Sequence, residues 1–130
     1  MQADKIGAWF LEQSEDRYWE VELKNESEFP VSKIILTTIN GRRDDSDGRI
    51  SPPELRVFIN HLMPGTWYTK LEGHRGMHFL PAIEMAFTDW NGKHWIKTGN
   101  GKLSPLHLNP TAYYLISEPI SWEEPLKTRA

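Results

Sequence analysis

Apolar and polar residues alternate along most of the chain with a period of two. In YWEVELKN, residues 18–25, Trp19, Val21 and Leu23 fall on one side and Tyr18, Glu20, Glu22 and Lys24 on the other, the pattern of a strand with one buried face. The next run, VSKIILTTI, is largely β-branched with no polar side, and reads as a central strand or one covered on both faces. After a polar loop from Asn40 to about Pro53, ELRVFINHL alternates Leu55, Val57 and Ile59 with Arg56, Phe58 and Asn60. PGT turns the chain at residues 64–66, and WYTKLEG returns with Trp67, Thr69 and Leu71. This pattern predicts a hairpin. AIEMAFTD and KHWIKT, joined across WNG, predict a second hairpin, for which two registers are open. A two-residue Asn91-Gly92 turn would set Phe87 opposite Ile96 and expose Trp95. A three-residue loop with Gly92 left-handed would pair Phe87 with Trp95 on the inner face and leave Trp90 alone at the tip. The second register buries more aromatic area and leaves one ring in water rather than two, so it is the expected one.

Helical spacing is confined to the ends. Ala3, Ile6 and Phe10 share one side of a helix, which predicts a short helix or a frayed lead-in over residues 1–12. SWEEPLKTRA, residues 121–130, is charged and broken by a proline, and suits a tail leaving the domain. Between them, residues 13–120 predict a single all-β domain, an antiparallel immunoglobulin-like β-sandwich of about seven strands.

Composition narrows what such a domain does. A chain of 130 residues supports a core without covalent staples. The absence of cysteine excludes disulfides and thiolate chemistry, and points to a reducing, cytoplasmic setting. A net charge of −3, with both signs interspersed, gives no basic field for nucleic acid. No apolar run reaches the roughly 18 residues of a membrane span, and the start MQADKIGAWF lacks the features of a signal peptide. Membrane insertion by this chain is therefore not expected.

The chemical motifs are weak on inspection. RDDSDGRISPPEL places Asp45, Asp47, Gly48, Ser51 and Glu54 at calcium-loop spacing, but Arg43 occupies the first ligand position and both flanks read as strands, so the segment is expected to be a solvated acidic turn. His74 and His78 are four apart in a glycine-containing turn where that spacing has no helical meaning, and nothing fixes His94, His107 or Glu84 beside them. The serines lack a nucleophile elbow. Glu20 with Glu22, and Glu123 with Glu124, are neighbours on solvated faces. GNGKL, residues 99–103, lacks phosphate-loop spacing, and the NES sequon at Asn25 reads as a chance match. No catalytic residue, metal or cofactor is expected.

Aromatic content is the remaining signal. Six tryptophans occur in this short chain, and most belong in a core. Trp90 lies in a turn, so Trp90, with its neighbours Asn91 and His94, is the candidate binding site. WEVELKNESEFPV, followed by Leu62, Pro64, Gly65 and Trp67 and then by Phe87, Thr88, Asp89, Gly92 and Trp95, resembles an uncharacterised immunoglobulin-like β-sandwich domain family of actinomycete bacteria, with GNGKL close behind. The likeness spans nearly the whole chain, and the acidic loop lies outside its motifs. Gln2, Ala3 and Trp9 resemble the segment that ends a membrane helix or coiled coil ahead of such domains. The resemblance implies a fold and a context but no activity.

These observations lead to a non-enzymatic interaction module whose expected partner is a protein. The competing expectation is a small β-barrel enzyme or ligand binder, such as a biosynthetic cyclase, with tryptophans lining a pocket. A cavity of roughly 300 Å³ or more with convergent polar groups would distinguish it.

Overall fold

The computed structural model describes residues 1–13, 17–41, 47–73 and 80–128. Its strands are β1 (Ile6–Gln13), β2 (Tyr18–Asn25), β3 (Val31–Asn40), β4 (Arg56–Leu62), β5 (Gly65–Glu72), β6 (Pro81–Thr88), β7 (His94–Lys97) and β8 (Leu103–Leu106), followed by one turn of helix, α1 (Pro110–Tyr113). They form two antiparallel sheets, β1-β2-β5 and β4-β3-β6-β7-β8. The order corresponds to the A-B-E and C′-C-F-G arrangement of immunoglobulin-type sandwiches with one further edge strand.

The alternation in β2 is realised. Val21 and Leu23 are fully buried, while Trp19 closes the end of the core with its ring edge-on to Phe10 at 5.7 Å. β3 is covered on both faces: Ile34 and Leu36 join the inter-sheet core with Val31, and Ile35 joins an outer cluster with Ala86 and Tyr114. Val31 and Ile34 share a face despite their odd spacing because the ladder shifts between Ser32 and Ile35, where Lys33 takes φ 52°.

Three expectations are corrected. Residues 1–12 are not a frayed end, and the helix is shorter than expected: one 3-10 helix, Gln2–Lys5, leads straight into β1. Ile6 and Phe10 fit both periods, and pairing with β2 decides for the strand. The PGT segment is not a hairpin turn, because β4 pairs with β3 and β5 with β2; Pro64 and Gly65, with φ 128°, carry the chain from one sheet to the other. The C-terminal segment does not leave the domain. Glu123 exchanges backbone hydrogen bonds with Phe58 and Asn60 of β4, and Leu126 exchanges them with Tyr68 of β5. It thereby straps the edges of both sheets and satisfies backbone groups that an open edge exposes. Among the described residues no helix is long and apolar enough to cross a membrane.

Candidate functional site

The loop end of the sandwich gathers the 3-10 turn, the β2–β3 loop, the β4–β5 corner and the β6–β7 turn, since Ile6, Asn25, Gly65, Val31, Leu62, Thr88 and His94 all lie at matching strand ends. Phe87 pairs with Trp95, Thr88 pairs with His94, and Gly92 takes φ 84°. The three-residue loop is thus the observed one. Asp89, only 7 % exposed, organises it. One carboxylate oxygen accepts from the backbone N–H groups of Asn91 and Lys93, and the other accepts from Trp95 Nε1 at 2.9 Å.

Trp90 is 57 % exposed at the tip, but it is not alone. Its ring stacks on Phe29 of the β2–β3 loop, with centroids 5.4 Å apart and planes 12° from parallel. The side-chain amide of Gln2 ties the two loops together: Nε2 donates to Phe29 O at 2.8 Å and to Ser27 Oγ, and Oε1 accepts from Trp90 N at 2.7 Å. Asn25 braces the same loop from within, donating to Phe29 O and Leu62 O while its Oδ1 accepts from the backbone N–H and hydroxyl of Ser27. An amide so buried and so fully bonded is a frame element, which is what the NES sequence encodes here.

The predicted site residues separate. Asn91 is exposed beside Trp90. His94 is half-buried, with Nδ1 2.8 Å from Thr88 Oγ1, so one ring nitrogen is committed to the strand pair. Neither Phe29 nor Gln2 is among the residues that the sequence marks as a binding site. Phe29 sits in the polar stretch NESEFP, where one aromatic carries no periodic signal.

The acidic segment has another use for its glycine. Arg43 and Asp45 lie outside the described residues, as do His74 and His78. Asp47 caps a 3-10 turn, Gly48–Ile50, and pairs with Arg49 at 2.8 Å, while Ser51 Oγ donates to Thr38 O. Gly48 lies against Glu84, whose carboxylate accepts from Gly48 N at 3.1 Å and from Tyr114 Oη at 2.6 Å. Arg56 donates to Gly48 O at 2.7 Å and lies 5.0 Å from the Tyr114 ring centroid. Among the described residues no group of three or more His, Asp or Glu side chains is placed to hold a metal ion.

Burial raises the pKa of Glu84 above the ordinary carboxylate range, against the opposing pull of its two donors. The folded state therefore holds this proton more tightly than the unfolded chain. The stability it contributes is complete below the unfolded pKa and is lost as pH rises through the folded one. Glu84→Gln keeps an acceptor for Gly48 N and offers a donor to Tyr114 Oη. Melting curves from about pH 4 upward should show the parent losing stability relative to this variant; parallel curves would contradict the assignment.

Among the described residues, two grooves flank the sandwich. One, of about 550 Å³, runs between the edges of β4 and β5 and is lined by Tyr18, Glu20, Arg56, Tyr68, Lys70 and Glu72 among others. The second, of about 440 Å³, lies beside β1. Glu84 lines neither. Both meet the volume set for a ligand binder; no tryptophan lines the first, where Glu72 is engaged by Arg17 at 3.3 Å, and Trp9 is the one tryptophan in the lining of the second. The tryptophans do not converge: Trp122 packs edge-on to Phe58, Trp95 and Trp67 lean on the core, and Trp19 meets Phe10. The two open sheets also exclude the barrel.

Comparison with known proteins returns no matching family model, no matching curated protein and no matching solved structure.

Proposed function

We propose that this chain is a non-enzymatic interaction module that engages a protein partner through the Phe29–Trp90 end of the sandwich. The observation that carries this reading is the stacked, half-exposed ring pair held by Gln2 across two loops. A fixed aromatic platform loses little conformational entropy on binding, and such rings anchor interfaces. Asn91 adds an amide at the rim. The acidic balance favours a protein over nucleic acid, and the absence of cysteine suits the cytoplasm. The motifs shared with the actinomycete sandwich domains support kinship with that group. Asn25, Ser27, Asp89 and Trp95 among them brace the loop end, whereas Trp90 and Phe29 are presented on that brace.

Immobilised parent protein and its Phe29→Ala, Trp90→Ala double variant, exposed to extract of the source cell, test the reading. The parent is expected to retain a discrete partner that the double variant loses, while Ile50→Ala, at a site 84 % exposed on another surface, retains it. Equal retention by all three would overturn the assignment.

A further inference from the structure

The three-stranded sheet is too narrow for the sheet it covers. β5 lies against β3 and β4, and β1, the edge strand of its sheet, lies against β6, so among the described residues the smaller sheet has no strand beyond β1 to cover β7 and β8. Their inward side chains follow from the register: Met85 pairs with Lys97, Phe87 with Trp95, and these with Leu103 and Pro105. Trp95, Lys97 and Leu103 are accordingly only half-buried. The 440 Å³ groove runs along the edge of β1 and meets this face only at its Lys97 end. Ala8 and Phe10 wall it on one side and Ile83, Met85, Lys97 and the turn residues Thr98 and Gly99 on the other, while Trp95 and Leu103 lie outside its lining.

The free edge of β1 defines what fits there. Lys5 O accepts from Glu26 N, which sets the alternation of the β1–β2 ladder. Gly7 and Trp9 then turn their backbone groups toward β2, and Ile6, Ala8 and Phe10 turn theirs outward. Ile6 O is taken by Lys97 Nζ at 3.1 Å. The outward N–H and C=O groups of Ala8 and Phe10 have no protein partner among the described residues. The other edges are protected. The C-terminal strap pairs with β4 and β5, and β8 carries Pro105, whose nitrogen, by the same alternation from the Thr98 N to Lys102 O bond, faces outward.

We propose that this groove binds an extended peptide, which adds to β1 as a fourth strand and lays alternate aliphatic side chains along the apolar wall of Ile83 and Met85, with an acidic side chain near Lys97. The unpaired backbone groups ask for a strand, the lining asks for apolar residues at every second position, and the lysine ammonium selects a carboxylate. A second copy of this chain is a poor occupant. Antiparallel β1–β1 pairing keeps both five-stranded sheets on one side, where β6 of the copy would collide with β7. The slot is one strand wide.

The probe is the synthetic peptide Thr-Val-Thr-Val-Thr-Glu-Thr with blocked ends, titrated into isotope-labelled full chain. Binding is expected to slow hydrogen exchange at the amides of Ala8 and Phe10. Ala8→Pro removes only an outward N–H and follows the permissive Gly7, so it should fold and bind roughly tenfold more weakly, the effect of one lost hydrogen bond. Lys97→Met should erase the preference for this peptide over its glutamine analogue. Exchange slowed elsewhere with Ala8 and Phe10 unchanged, undiminished binding by the proline variant, or no binding at millimolar peptide would each overturn the proposal. So would a homodimer that Ala8→Pro dissociates, because the occupant would then be a second copy.

Discussion

Replacing Trp95 by alanine should destabilise the domain by about 3 kcal/mol, a large share of the stability of a chain this size. The indole packs on the inter-sheet core beside Phe87, which is completely buried, and donates to Asp89 at 2.9 Å. Removing it opens a void and takes away one donor from a nearly buried carboxylate, and the second effect adds to the first. Trp90→Ala loses a ring stacked on Phe29 in solvent, so its cost should stay within about 1 kcal/mol. Urea unfolding of the two variants checks the contrast. Equal losses would contradict the three-residue register, and with it the separation of a bracing tryptophan from a presented one.

Gly48→Ala is expected to cost about as much, roughly 3 kcal/mol, for a different reason. A Cβ at this position would overlap Glu84 Oε1 and come within 2.9 Å of its Cδ and 3.3 Å of Thr37 Cγ2. Glu84 is buried and fixed by Tyr114 and by Gly48 N, so its carboxylate cannot yield without breaking a buried hydrogen bond. The penalty should shrink in a Glu84→Ala background, where the colliding oxygen is gone, and a double-mutant cycle reads that coupling directly. An additive cycle would mean that the glycine serves the loop's own conformation, as it does in a calcium loop, rather than its approach to Glu84.

What the chain discloses on inspection follows from what leaves a periodic trace. β2, β3 and the β6–β7 hairpin were legible because burial on one face or two imposes alternation, and because Gly92 marks a left-handed turn position. β1 was hidden by Gly7 and Ala8, which weaken its alternation while Ala3, Ile6 and Phe10 fit a helical spacing. The β4–β5 connection was misread because a strand alternates in the same way whichever sheet its neighbour belongs to. The strap leaves still less trace: Glu123 and Leu126 are held largely through backbone bonds, which any side chain permits. At the candidate site, Trp90 was legible as an aromatic in a turn. Phe29 and Gln2, 61 and 88 positions away, reach it only through the fold.

The claim that the Phe29–Trp90 end is a contact surface is tested most directly by placing a photoreactive phenylalanine analogue at position 90, and in a parallel chain at position 50, and irradiating the source cells. A discrete cross-linked adduct from position 90, with none from position 50, is the expected result. Adducts of the same size from both positions, or none from position 90, would contradict it.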